Sequence, residues 1–473
     1  MRNANRALLV WLLVLTAFSF TYAQSDHSLT DRYREAAGKM IGAALTDEGG
    51  WEKLTYLTTE IGPRLAGSTA LEKAVEWARA GMEKEGLQNV RVEPVKVPHW
   101  VRGNEHAELV APFQKPLEIL GLGGSVGTPP EGITAPVVVV SSFDHLESLG
   151  RDKVQGKIVL FAVRWEGYFK TVRYRGGGAS AAAKLGAVAA LVRSATGSSL
   201  YTPNTGGMRY AEGIPQIPAA AVTVEDAAWM RRLAAAGHEL EAKLYMEAKT
   251  LPEADSANVM AEIVGSELPE EVVVMGGHLD SWDVGQGAHD DGVGVTAPWQ
   301  ALTILKKLGL RPRRTLRVVL WTNEENGLRG GRAYREMLTD AELANHVAAI
   351  EMDGGSERPR GFGFGLEGID PESGDPVYEA AYGKLHQIGH LLESIEAGEV
   401  LRGVGGADIG PLTRDGVPGL GLRTVGEHYM DWHHTHADTL DKVNPQHFRR
   451  AIALLAVYSY VLADMPDRLV EGK

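Results

Sequence analysis

Five short segments of the chain concentrate side chains able to bind a cation or move a proton. Gly276-Gly277-His278-Leu279-Asp280-Ser281 places a histidine and an aspartate two residues apart, so both project from one side of extended chain. A neutral imidazole can bind metal through one nitrogen while a carboxylate holds its other N–H. Alone, that spacing is more often a structural pair than a ligand. Gly287-Ala288-His289-Asp290-Asp291-Gly292-Val293-Gly294 sets adjacent acids among glycines where a helix opens. Such a turn suits a nearby cation, and equally an N-cap. Thr322-Asn323-Glu324-Glu325-Asn326-Gly327 ends an apolar run with two glutamates, which are costly at a buried strand end unless something cationic sits there. Neighbours in sequence face different ways, so one can bind metal while the other handles protons. Glu351-Met352-Asp353-Gly354-Gly355 supplies two more acids, both on one strand face. Asp431-Trp432-His433-His434-Thr435-His436-Ala437-Asp438-Thr439 gathers three of the chain's 15 histidines.

Read together, His278, Asp290, Glu324, Glu325, Asp353 and His434 have a chemical sense that none has alone. Two histidines and three carboxylates hold two zinc-like ions if one carboxylate bridges, and one carboxylate is left free. Two ions roughly 3.5–4 Å apart can clamp a water and a substrate carbonyl. The chain has no cysteine, which excludes disulfides, thiol catalysis and thiolate ligands, so a metal here must sit on His, Asp or Glu.

The elements that carry these groups alternate from Ser256 onward. Glu271–Gly276, Thr315–Thr322, Val347–Met352 and Pro418–Leu422 read as strands, and Ala297–Leu308 and Phe448–Leu462 as helices. Val272–Met275 and Leu316–Trp321 are near-continuous apolar runs, as expected of strands buried on both faces. That order implies an α/β fold with a mixed, mostly parallel sheet flanked by helices, whose functional groups gather at strand ends. Upstream, Trp51, Leu54, Leu57 and Ile61, then Leu71, Ala74, Val75, Ala78 and Met82, recur at helical spacing before an extended stretch at Val90–Val95. Between about Pro112 and Thr250 the chain turns rich in Gly, Pro, Ala and Val. Short apolar runs there, with Gly176-Gly177-Gly178 preceding an alanine-rich helix over 179–185, suggest an inserted β-rich module without a catalytic cluster of its own.

The 473 residues suffice for two or three domains. With 48 Lys and Arg against 61 Asp and Glu, the net charge of −13 argues against a nucleic-acid partner. The one basic run, Arg311–Arg314, reads as a solvated turn. At the start, Arg2 and Arg6 precede an apolar stretch from Ala7 to Phe20 and the small-residue site Thr21-Tyr22-Ala23. This is the pattern of a cleaved secretory signal, and no later run is long and apolar enough to span a bilayer.

The motifs GGHLDS, GAHDDGVG, TNEENGLRG, MDGG and HHTHADT, in that order, resemble peptidase family M28, the dinuclear zinc exopeptidases. Ile61-Gly62-Pro63-Arg64-Leu65-Ala66-Gly67-Ser68 is similar to that family's opening. The insert resembles a protease-associated (PA) domain, and the whole is most similar to the carboxypeptidase Q branch. The resemblance implies a signal peptide at 1–23, a peptidase domain split into 24–111 and 251–473, the second part carrying the metal site, and a PA insert at 112–250. It further implies two Zn2+ ions, one held by His278 and Asp353 and the other by Glu325 and His434, with Asp290 bridging. Glu324 would be the general base and Asp280 would orient His278. Asp291 would complete a constrained Asp-Asp peptide bond, and Asp408 stands where the family often has an acid supporting the last histidine. Glu351 is a competitor to Asp353, His433 and His436 are candidates to line the substrate pocket, and His289 is a non-ligand. The expected activity is hydrolysis of a peptide or dipeptide at one terminus, with carboxypeptidase or dipeptidase action favoured by the branch and aminopeptidase action as the alternative. The branch also implies an exported homodimer. A non-enzymatic PA-containing binding protein is the rival from another class, and such proteins lose ligands or the base.

Overall fold

The computed structural model describes residues 28–403 and 405–471; the expected export signal lies outside the described residues. Eight strands form the first sheet: β1 (Gln88–Val101), β2 (Lys249–Ile263), β3 (Leu268–His278), β4 (Arg314–Trp321), β5 (His346–Glu351), β6 (Pro359–Gly365), β7 (Glu399–Arg402) and β8 (Gly419–Thr424). Their order across the sheet is β1-β2-β4-β3-β5-β8-β6-β7. The centre is parallel, since β3 pairs in parallel with both β4 and β5, and β5 with β8. The flanks β1–β2, β2–β4 and β6–β8 are antiparallel.

The continuous apolar runs follow from cover on both faces. Val273 and Met275 point into a core with Trp299 and Leu454, from helices Val293–Lys307 and Pro445–Asp464. Val272 and Val274 point the other way, against Tyr334 and Leu412 from helices Arg329–Glu336 and Gly410–Arg414. Alternation along one strand thus serves two cores. Gly276 marks a close approach within the sheet, because a Cβ there would overlap the carbonyl oxygen of Val319.

The chain leaves this sheet at Val101 and rejoins it at Lys249, two residues paired across the β1–β2 ladder. Between them a second sheet orders its strands Lys115–Leu117, Glu105–Ala111, Glu241–Met246, Ile133–Val140, Ile158–Phe161, Ala189–Arg193, Ala219–Val222 and Ile119–Gly121. It already takes in Glu105–Ala111, ahead of the change of composition at Pro112. That strand is ordinary in composition and gives no sign of the new sheet.

Two local expectations differ from the structure. Gly176-Gly177-Gly178 does not precede a helix but lies inside one, Tyr168–Lys184. Thr171, Arg175, Gly178 and Ala182 form its buried stripe, and Gly178 lets it lie against Phe161. Tertiary packing therefore overrides a propensity cost of about 1 kcal/mol per glycine. The basic run at 311–314 is no solvated turn either: Arg314 is buried, ion-paired with Glu271, and donates to the Met465 carbonyl at 2.6 Å.

Gly276→Ala is expected to destabilise the protein by about 3 kcal/mol, the upper range for overpacking, read as a lowered urea midpoint with unchanged slope.

Candidate metal centre

Because the central strands are parallel, their carboxyl ends lie along one edge, and every motif but one follows such an end. His278 is the last residue of β3, Glu324 and Glu325 follow β4, Asp353 follows β5, and His434 lies beyond β8. The exception is Asp290, in the turn Ala288–Gly292 that opens helix Val293–Lys307. The Asp290–Asp291 peptide bond is cis.

These side chains converge around Asp290. Its Oδ1 lies 3.2 Å from His278 Nε2, and its Oδ2 lies 3.2 Å from His434 Nε2. Asp353 Oδ1 approaches His278 Nε2 at 3.7 Å, and Glu325 Oε2 approaches His434 Nε2 at 3.1 Å. Two groups of acid and imidazole thus share one central carboxylate. Nε2 of His278, Oδ2 of Asp290 and Oε1 of Glu325 are buried without a hydrogen-bond partner, which is the state of groups whose lone pairs face a cation. His278, Asp290 and Glu325 each offer a ligand atom within 4.8 Å of the others. The donor set, nitrogen and oxygen only, suits zinc.

Three of the other acids nearby are already occupied, and a fourth is not. Asp291 accepts from the backbone N–H groups of His278 and Gly294, both at 3.1 Å. Glu351, the competitor to Asp353, accepts from Ala407 and Ile409 at 2.7 Å each and so points away from the cluster. Asp280 meets His278 Nδ1 mainly through its backbone carbonyl, at 3.1 Å, with its carboxylate at 3.7 Å. That carboxylate instead accepts from the N–H groups of Glu324 at 3.0 Å and Glu325 at 3.3 Å, fixing both glutamates. Asp408 is buried with neither oxygen bonded. Its charged neighbours are Glu351, His278, Asp280 and Asp353, whereas His434 Nδ1 meets the carbonyl of Thr205 at 3.2 Å. The last histidine is therefore supported by a backbone carbonyl, which delivers the same acceptor as an acid without adding charge.

Burial sets the electrostatics. It raises Glu324 well above the usual carboxylate range, and raises Glu325 to about 7. Burial would raise Asp290 too, but the imidazoles of His278 and His434 close to its oxygens hold it well below that range. Burial would lower those two histidines, and their carboxylate neighbours hold them well above an ordinary imidazole. His433, stacked on His434 with ring centroids 3.6 Å apart, is driven down by burial and by that neighbour.

A family profile for peptidase family M28 matches residues 258–459, and one for the PA domain matches 130–230. Carboxypeptidase Q of Bos taurus is 46% identical over 89% of this chain and 86% of its own length. The chain belongs to peptidase family M28. A solved structure of a peptidase M28 precursor from Shewanella amazonensis superposes with a TM-score of 0.86 at 34% identity, covering 94% of this chain and all of that one. BSAP, a zinc aminopeptidase from Bacillus subtilis, shares the fold, with a TM-score of 0.67 at 19% identity over 90% of this chain and 97% of its own. This M28 protein is a metallo-exopeptidase carrying a PA domain.

The M28 motifs do not by themselves reveal three of the residues that build its centre. Asp438 takes the backbone N–H groups of Ala288, His289 and Asp290 at 3.1, 2.7 and 3.1 Å, holding the turn that aims Asp290. Its place in the Ala-Asp-Thr ending was the available signal. Arg64, fully buried, donates to the carbonyls of Leu279, Gln286 and Gly287 and so ties the loop after His278 to the Asp290 turn. Arg175 belongs to the insert, and with Tyr168 and Phe169 it lines one wall of a cavity of about 910 Å³. Asp290, Glu324, Glu325, Asp353 and His434 line the same cavity. The module, read as having no catalytic cluster of its own, thus supplies part of the cavity wall. His433 lines the cavity, while His436 is exposed and lines a separate cleft with His99 and Arg102.

Asp438→Ala leaves three buried N–H groups without an acceptor and is expected to lower stability by about 3 kcal/mol. Asp438→Asn, which keeps one acceptor oxygen, should lose less; denaturant melts of the two variants check the order.

Proposed function

We propose that this exopeptidase holds two zinc ions, with His278 and Asp353 on one, Glu325 and His434 on the other, and Asp290 bridging. The observation that carries the reading is that the two oxygens of Asp290 each face a different histidine at 3.2 Å. Bound there, zinc acidifies water and polarises a scissile carbonyl. Glu324 supplies the proton handling. It lines the cavity beside the cluster, its backbone is fixed by Asp280, and burial raises its carboxyl above the usual carboxylate range, which makes it a better proton acceptor. It takes the proton of the attacking water and returns it to the leaving amine.

The charge on the cavity wall supports one choice of terminus. An α-carboxylate needs a cation, whereas an α-amine needs an acid that the metals do not use. Arg175 offers a guanidinium that donates to Tyr168 Oη at 2.9 Å and to the Thr205 carbonyl at 3.0 Å, forms no ion pair with a carboxylate among the described residues, and has a buried Nε without a partner. It is placed to receive a substrate carboxylate, which supports carboxypeptidase or dipeptidase action, as does the name of the Bos taurus relative. The apolar stretch at 7–20 supports export, and the branch resemblance alone supports a homodimer. No helix among the described residues is long and apolar enough to cross a membrane.

The paired glutamates are expected to fail differently. Glu324→Gln should reduce turnover about 10²–10⁴-fold with both metals retained, while Glu325→Gln should lose or weaken one metal. Metal stoichiometry of each folded variant decides, and the opposite pattern would reverse base and ligand. With dipeptides blocked at either end, a free carboxyl terminus should be required. Arg175→Gln should raise KM for such substrates roughly 10- to 100-fold, the worth of a charged hydrogen bond, with little change in kcat. A requirement for a free amine instead would make the enzyme an aminopeptidase.

A further inference from the structure

His434 stands in the left-handed region at φ 62, in a loop whose regular pieces are two short turns, Tyr429–Trp432 and Leu440–Lys442. A non-glycine residue stays there only when its surroundings hold it. The groups that hold it come from the insert. Thr205 N–H donates to the His434 carbonyl at 2.9 Å, and His434 Nδ1 meets the Thr205 carbonyl at 3.2 Å. Asn204 Nδ2 donates to the neighbouring His433 carbonyl at 2.7 Å, and Thr196 Oγ1 donates to the Met430 carbonyl at 2.8 Å. Ser198 bonds to the Asp431 carboxylate.

These anchors are themselves rigid. Asn204 is 2% exposed, and its backbone N–H donates to Ser194 Oγ at 2.9 Å, which in turn donates to the Val222 carbonyl on the second sheet. Thr205 Oγ1 donates to the Gly121 carbonyl at 2.7 Å on the same sheet. By contrast, Nδ1 of His278 meets the carbonyl of Asp280, two residues along its own chain, and among the described residues no hydrogen bond or ion pair joins His278 to the insert. The two histidines thus owe their positions to different sheets.

We infer that the PA insert is a positioning device for one half of the metal centre: Asn204 and Thr205 fix the backbone and the ring orientation of His434, while His278 is set by the peptidase sheet alone. With Nδ1–H given to the Thr205 carbonyl, the ring presents a bare Nε2 to the Asp290–Glu325 side, the tautomer a metal requires. Loss of the insert's grip therefore weakens one ion and spares the other. The inference rests on the proposal that His434 is a ligand.

The test is Asn204→Ala, with Asn204→Asp as the near-isosteric variant that loses the same N–H donor. Stepwise competition with a zinc chelator measures the affinity of each ion separately. About tenfold weaker binding of one zinc, with the other at its wild-type affinity, is expected, in the range seen for groups that orient a metal-bound histidine. Leu160→Ala, a cavity in the insert's own core, supplies the control for general destabilisation and should not split the two affinities. Two unchanged affinities in Asn204→Ala, or a parallel fall of both as stability drops, overturns the inference. His434→Ala separates the two claims. If it empties one site while Asn204→Ala changes nothing, only the positioning role fails. If it leaves metal content intact, the ligand assignment fails and takes the positioning role with it.

Discussion

Mutual repulsion among buried carboxylates is the constraint on which the rest of this structure depends. Asp280, Asp290, Asp291, Glu324, Glu325, Glu351, Asp353, Asp408 and Asp438 all lie within or around one cluster, and ionised acids in a dry interior are costly unless compensated. Compensation comes in two kinds. Asp280, Asp291, Glu351 and Asp438 accept backbone N–H groups from the loops around them, so the fold itself neutralises them. Asp290, Glu325 and Asp353 have no such donors and face imidazoles instead. The first group shapes the loops, and the second is what a cation must satisfy. Besides Glu324, Asp408 alone belongs to neither group. It stands beside Glu351, burial raises both, and a proton can take the place that a metal holds elsewhere.

That sorting explains how much was legible in the chain. Residues that meet an ion must be His, Asp or Glu, and their neighbours must be small enough to admit the crowding, so two strand ends announce themselves as Gly-Gly-His and Thr-Asn-Glu-Glu, and one helix start as Ala-His-Asp-Asp. The parallel sheet was readable for a related reason, because strands covered on both faces show unbroken apolar runs. What orients the ligands was mostly hidden. The Thr205 carbonyl has no signature, since any residue carries one, and 229 positions separate it from His434. Asp280 was visible as a partner of His278, but its larger task, receiving two N–H groups 44 and 45 residues away, depends on the parallel alignment of β3 with β4. The helix through Gly176–Gly178 was hidden by the glycines, whose cost is met by packing that only the assembled insert provides.

The insert changes how the cavity should be regarded. Arg175 and His434 Nδ1 both approach one carbonyl, at 3.0 and 3.2 Å, so the guanidinium offered to a substrate and the imidazole offered to a metal share an anchor. Tyr168 packs edge-on against His433 at 5.3 Å, and Trp282 leans on His434 at 5.6 Å. Specificity and metal retention are thereby built into the same few contacts.

The pairing of Val101 with Lys249 has a further consequence, for the order in which the molecule assembles. In the first sheet, β1 and β2 are two arms of a hairpin whose tip has grown into a whole second sheet. Closing such a hairpin over a long loop costs chain entropy only as the logarithm of loop length, so the first sheet can complete while the tip is still unstructured. On the proposed role of His434, activity would not follow on that schedule: with the peptidase sheet folded first, the loop bearing His434 would lack the insert's anchors, and maturation would end with a docking event rather than with the closing of the main core.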